Sequence, residues 1–379
     1  MYLSDNKDQN QNLDQTTVAV QAVTIVADAS PPPTDSGPLT AKPKKLIDVT
    51  FREANESTEI KISIPEEYIV SNTNTIDDAY RKTTELIDRT QKLAKEAFVD
   101  KNKPSWDLVQ VLLYYWNRRD LLRVERINDY THLVEYALRK IVLDVENTFL
   151  PEYKLESFDN FTPERAIEEL ADKVYSHRIN EHPLLNEMAK NGVSLQTVQT
   201  FLENYYINNR LFHLFIAALS LSTPMAERTE LANNFYDELG SGDCAMAHPN
   251  LFLKNFNNIG RPNRIEPMSE ALSLVNAKTY AAFLCGDYHC GMGGFGYIEL
   301  AMPNQMVKIL AGLRKSGLPA ENLEFWETHI HIDLGHGKAW FSEMRKLIHT
   351  PEQAQKCLKG GMRLLNARAA MYDGVWRLA

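Results

Sequence analysis

Residues 327–340 read Glu-Thr-His-Ile-His-Ile-Asp-Leu-Gly-His-Gly-Lys-Ala-Trp. On an α-helix each residue turns about 100°, so His329, Asp333 and His336 fall within an arc of about 60°. One helix face then presents two imidazoles and a carboxylate, a ligand set that suits iron and is acceptable for zinc or manganese. His331 points away from that face and reads as a packing residue or a support for the ligands. A lone His on a helix is seldom a ligand. Three donors in register point to a metal, and the run continues into Ala339-Trp340-Phe341 as an ordered helix.

A metal pair needs more donors, and other segments supply them. Glu238 and His248 lie in Phe-Tyr-Asp-Glu-Leu-Gly-Ser-Gly-Asp-Cys-Ala-Met-Ala-His, ten residues apart. An ideal helix would leave them about 80° apart. They share a site if the helix bends at Gly240-Ser241-Gly242, since glycine weakens a helix by about 1 kcal/mol. Alternatively Gly240 ends one helix and Pro249 opens the next. Glu299 sits in the apolar run Gly-Phe-Gly-Tyr-Ile-Glu-Leu-Ala-Met. A carboxylate in such company needs a metal or a buried cation, because an unpaired buried charge is costly.

The rest of the chain bounds the fold. It has 379 residues, 44% hydrophobic and 24% charged, with a net charge of −9. That charge gives no whole-protein attraction to nucleic acid or an anionic membrane. No run of 18 apolar residues predicts a membrane span. The apolar stretch 16–29 follows an acidic start rather than a basic one, so no secretory signal is expected, and the cytoplasm is the expected location. Four cysteines suggest no disulfide scaffold. Cys285 and Cys290 read as buried thiols on a Gly-rich apolar helix.

Residues 1–44 read as a disordered arm, rich in Pro, Ser and Lys. Leu46–Phe51 and Glu59–Ile64 alternate like a short hairpin. From about residue 75 the chain reads as successive helices: 77–98, one long helix 106–145, then 194–221, 226–240, 249–257, 268–285, 293–313, 322–347 and 351–375. Thr162-Pro163 starts a further helix as N-cap and first residue. The expectation is an all-α protein with an N-terminal region (45–175) and a compact helical domain (176–379). No Glu-x-x-His pair occurs, which argues against a ferritin-like bundle. There is no Walker loop, no GxGxxG after a strand and no GxSxG elbow. The glycines of Gly291-Met-Gly-Gly-Phe295 read as close helix packing.

From about His182 to Trp340 these residues resemble the heme-oxygenase-like diiron oxidases and oxygenases. His329, Asp333 and His336 match the family's His-x3-Asp-x2-His motif. Glu238 and His248 match its Glu and His around a Gly-rich stretch, and Glu299 matches its Glu about 30 residues before the triad. The resemblance implies a heme-oxygenase-like helical bundle with an N-terminal helical extension. It implies two iron ions held by Glu238, His248, Glu299, His329, Asp333 and His336, with dioxygen as co-substrate and a small metabolite, leaning to an amino-acid derivative, as substrate. Glu203 is the rival to Glu299, since some members draw a ligand from that earlier helix. Arg210, Tyr288 and Lys338 are candidate substrate contacts. Some members dimerise through an N-terminal helical region, so a homodimer is expected.

Two other readings stay open. One is a metal-independent oxidase or hydrolase of the same fold. The other is a non-catalytic helical protein whose histidines bind zinc or merely pack. A heme oxygenase would need His182 or His213 as proximal ligand, and neither has supporting context.

Overall fold

The computed structural model describes residues 24–26, 45–52, 56–70, 73–121 and 130–379. The expected arm lies outside this range except for three residues. These form β1 (Thr24–Val26), antiparallel to β2 (Leu46–Arg52), which is antiparallel to β3 (Glu59–Pro65). Alternate residues Ile47, Val49 and Phe51 face Ile60, Ile62 and Ile64 in a buried layer, as the twofold strand period requires. A hairpin alone is marginal. Here Phe51 packs edge-on against Tyr114 at 5.7 Å, and β4 (Arg264–Ile265) joins β3 in parallel.

Three helices follow: α1 (Ile76–Phe98), α2 (Lys103–Asp120) and α3 (Thr131–Phe149). Thr75 caps α1 by accepting from Asp78 N, and Asn102 caps α2 by accepting from Ser105 N. The single long helix expected over 106–145 is instead two. The fold-back pairs buried Arg139 with Asp120 at 2.6 Å and joins Arg119 to Glu135.

The second half is a bundle: α4 (Pro163–Tyr175), α5 (Pro183–Asn191), α6 (Leu195–Asn209), α7 (Phe212–Ser222), α8 (Met225–Glu238), α9 (His248–Ile259), α10 (Ser269–Thr279), α11 (Tyr288–Lys315), α12 (Glu324–Leu347) and α13 (Pro351–Leu378). Thr162 caps α4 as expected. The expected helix 194–221 divides at Arg210–Leu211. The expected helix 268–285 ends in a π-turn at Tyr280–Leu284. The last three helices form the core, with α11 packed between α12 and α13. A Cβ on Gly293 would lie 2.1 Å from the Cys357 carbonyl oxygen, so the Gly291–Phe295 glycines do serve close packing. Among the described residues no helix is long and apolar enough to cross a membrane.

Candidate metal centre

Three helix pairs meet at the site. The first is α8 and α9. Glu238 is the last residue of α8 and His248 the first of α9. The intervening turn has Gly240, Ser241 and Gly242 at φ 77°, 53° and 97°. This is the two-helix alternative rather than a bent helix, and it still brings the pair together: His248 Nδ1 lies 3.1 Å from Glu238 Oε2. Gly240 is required twice over. Its φ is left-handed, and a Cβ there would sit 2.2 Å from the Asp243 carbonyl oxygen. Ser241 Oγ donates to Asp237 Oδ1, and Asp243 Oδ1 accepts from Ala245 N, so the turn is internally bonded.

The second pair is α11 and α12. A Cβ on Gly337 would lie 2.7 Å from Leu300 Cα, so only glycine allows this approach. It places His336 Nδ1 3.6 Å from Glu299 Oε2. Pro303 within α11 has no N–H, which removes the hydrogen bond that would end on the Glu299 carbonyl and loosens the helix at this residue.

The third contact joins α9 to α12. The rings of His248 and His329 are 4.3 Å apart between centroids. His329 Nδ1 donates to the Phe325 carbonyl at 2.7 Å, which leaves Nε2 free for the cluster. His336 Nε2 donates to Asp237 Oδ2 at 3.1 Å, a carboxylate–histidine contact of the kind that orients ligands.

Two groups result, Glu238–His248–His329 and Glu238–Glu299–His336, each with its donor atoms within 4.8 Å of one another. Asp333 is buried and lines the same cavity, outside these two tight groups. Burial opposes ionisation of Glu238, but His248, His329 and His336 pull its carboxyl down to about 2. Burial and His248 hold His329 at about 3. Burial works against protonated His336, yet Glu299 and Asp237 raise it to about 10. Burial and the charges of Glu299 and Glu238 push Asp333 well above the carboxylate range.

These residues fit iron. Three carboxylates and three imidazoles are buried together, and Nδ1 of His248 and of His336 each face a carboxylate, Glu238 at 3.1 Å and Glu299 at 3.6 Å. Divalent iron accepts such a set of imidazole and carboxylate donors.

The cavity against the cluster is small, about 30 Å³. Besides Glu238, Glu299, His329 and Asp333 it is lined by Tyr205, Asn208, Asn209, Phe212, Lys278 and Arg368. None of Lys278, Arg368, Asn208 or Asn209 was legible as a site residue from sequence spacing, and neither was Asp237. A larger cavity of about 190 Å³ between α2, α3, α10 and α13 holds none of the six donors.

Four sequence candidates lie elsewhere. Glu203 accepts from Gln199 one turn back on α6 and belongs to neither donor group, whereas Glu299 belongs to one. Arg210 is tied to Glu56, which also takes Arg261, in a buried ion pair that fastens the hairpin region to the bundle. Tyr288 is half-buried and stacks on His289. Lys338 projects from the exposed side of α12. The His331 side chain lies outside the described residues. His182 caps α5 through Nδ1 and bonds Asp373 at 2.9 Å through Nε2, so neither nitrogen is open to a heme.

Residues 199–369 match the sequence profile of a family described as iron-containing redox enzymes. All six donors lie inside that range. A 4-chloro-allylglycine synthase of Streptantibioticus cattleyicolor is 24% identical over 213 residues, covering 54% of this chain and 80% of that protein. Among solved structures, a domain of unknown function with a heme oxygenase-like fold from Shewanella denitrificans matches with a TM-score of 0.46 at 14% identity, over 57% of this chain and 90% of that one. A CADD-like protein of unknown function from Nostoc punctiforme matches with a TM-score of 0.48 at 14% identity, over 57% and 98%.

Proposed function

We propose, from the premise that this chain belongs through residues 199–369 to the iron-containing redox enzymes with a heme-oxygenase-like fold, that it is a diiron oxygenase or oxidase acting on a small amino-acid-derived metabolite. The single observation that carries this reading is the meeting of Glu238, His248, Glu299, His329 and His336 in two overlapping donor groups, with Asp333 beside them. Glu238 belongs to both groups and would help hold an ion in either. Two iron ions held there would supply the one-electron steps that reduction of dioxygen requires.

The chain's own residues do the rest. Phe325 and Asp237 fix the ring orientations of His329 and His336. Ile298, Met302 and Phe212 give the cavity an apolar wall that keeps bulk water from the reacting bond. The relative named as an allylglycine synthase supports an amino-acid-related substrate.

The test is oxygen uptake. Protein loaded anaerobically with Fe(II) is mixed with air-saturated buffer and a panel of amino acids and fatty acids. The reading expects uptake above the protein-only rate with at least one amino acid. Equal rates throughout, in protein that holds iron, would refute it.

A further inference from the structure

Two thiols stand together at a place the metal centre does not use. Cys285 closes the π-turn Tyr280–Leu284, and Cys290 lies in the first turn of α11. The sequence reads both as buried thiols on one helix. The structure instead puts Cys285 off the helix and only half-buried, next to exposed Phe283 and Gly286, while Cys290 is buried. Cys285 Sγ donates to the Asp287 carbonyl oxygen at 3.2 Å, and Cys290 N donates to that same oxygen at 3.1 Å. One atom thus draws the sulfur of the first cysteine onto the backbone of the second. The two thiols also hydrogen-bond to each other.

Their chemistry differs. The bond from Cys290 carries the Cys285 thiol below the ordinary thiol value, although burial opposes that shift. The same bond, and burial after it, push Cys290 well above it. The thiolate is the nucleophile, so Cys285 attacks while Cys290 keeps its proton. Accessible, readily ionised thiols with a second thiol at hand are the ones that oxidants select. The backbone leaves room for the sulfurs to join. Gly286, between them, has φ 68°, and a Cβ there would meet nothing within 4 Å. The other side is fixed: a Cβ on Gly360 would lie 2.0 Å from the Cys290 carbonyl oxygen, so the start of α11 is held on α13. The adjustment therefore falls on the turn that carries Cys285.

We propose that Cys285 and Cys290 are a peroxide-reactive pair that closes into a reversible disulfide between the π-turn and α11. The Cys285 thiolate attacks one oxygen of hydrogen peroxide and the O–O bond breaks. Cys285 becomes a sulfenic acid, and the departing hydroxide takes up a proton as water. The Cys290 sulfur then attacks the sulfenic sulfur, forming the S–S bond and expelling a second water that carries the Cys290 proton. Two thiols and one peroxide give one disulfide and two waters; sulfur loses two electrons and peroxide gains two. A dithiol reverses the step by exchange. The bridge staples the turn to the helix that bears Glu299, nine residues beyond Cys290. No metal takes part, so the proposal stands apart from the function proposed above.

The test is differential alkylation of the full chain, freed of metal by chelation so that peroxide meets thiols rather than iron. After treatment with excess hydrogen peroxide the remaining thiols are capped in denaturant, and the chain is cut after Lys and Arg. Peptide 279–308 holds Cys285 and Cys290 and no other cysteine. It is expected to lose both caps in more than half of the chains, at least tenfold faster than exposed Cys244 loses its own, and to regain them after dithiothreitol. Buried Cys357 is expected to keep its cap. In Cys290→Ser, Cys285 is expected to stop at a sulfenic acid that dimedone traps, and in Cys285→Ser, Cys290 stays reduced. The proposal is overturned if the peptide keeps both caps, if Cys285 bridges to Cys357 instead, if the pair reacts no faster than Cys244, or if dithiothreitol restores no caps. These outcomes are all read on wild type, so they decide the question even if a variant fails to fold.

Discussion

His248 and His329 are 81 residues apart in sequence, yet their ring centroids lie 4.3 Å apart in the buried interior. Local features set each ring, and the packing of α9 against α12 brings the two together. His248 is placed by the Gly240–Gly242 turn and Pro249 at the start of α9. His329 is placed by its bond to the Phe325 carbonyl.

Replacing Asp237 with Asn removes the negative charge that faces the His336 Nε2–H and leaves at most a neutral amide acceptor. Carboxylates that orient a ligating histidine typically contribute 10–100-fold to metal affinity. Asp237→Asn is therefore expected to bind Fe(II) about 10–100-fold more weakly with an unchanged circular dichroism spectrum. Wild-type affinity would remove Asp237 from the account.

His336→Ala is expected to lose most iron and all substrate-dependent oxygen uptake while the fold survives. A methyl group leaves no donor opposite Glu299 and takes the imidazole away from Asp237 Oδ2. Iron content and thermal unfolding of the same sample separate loss of metal from loss of fold.

Gly337→Ala forces a methyl group against the Leu300 backbone. Backbone yields less readily than a side chain, so the helices must part. Overpacking of this kind costs roughly 1–3 kcal/mol. A lower urea midpoint together with weaker iron binding is expected. An unchanged midpoint would show that α11 and α12 have room to spare.

Acid should destabilise the protein through two histidines far from the metal centre. Burial lowers the pKa of His177 and of His182, and bonds to Asn366 and Asp373 offset only part of that effect. The unfolded chain takes up these protons near pH 6.5, before the folded one does. Stability is then fully present above about pH 6.5 and is lost as pH falls through the folded values. The urea midpoint should be lower at pH 5.5 than at 7.5, and His177→Gln with His182→Gln should flatten that slope. A midpoint that rises toward acid contradicts the sign.

Much of the metal centre was legible in the sequence because helical periodicity is local. The spacing of His329, Asp333 and His336 fixes one face whatever packs against it. The glycines between Glu238 and His248 likewise announce a break, though not that α8 would stop at Glu238 and α9 start at His248. Lys278 and Arg368 left no such mark. Each is a single cation on a helix, and only the packing of α10 against α13 turns both toward one cavity. Arg210 misled for the same reason: its partner, Glu56, is 154 residues away. The division of the expected helix 106–145 into α2 and α3 was hidden by an apolar stripe present on both sides of the break.

Anaerobic titration with Fe(II), followed by desalting and iron quantification, tests the shared site most directly. Wild type should retain two ions per chain, and the double variant His329→Ala, His336→Ala fewer than one. A wild-type chain that retains none, or a double variant that retains as many as wild type, would contradict the account.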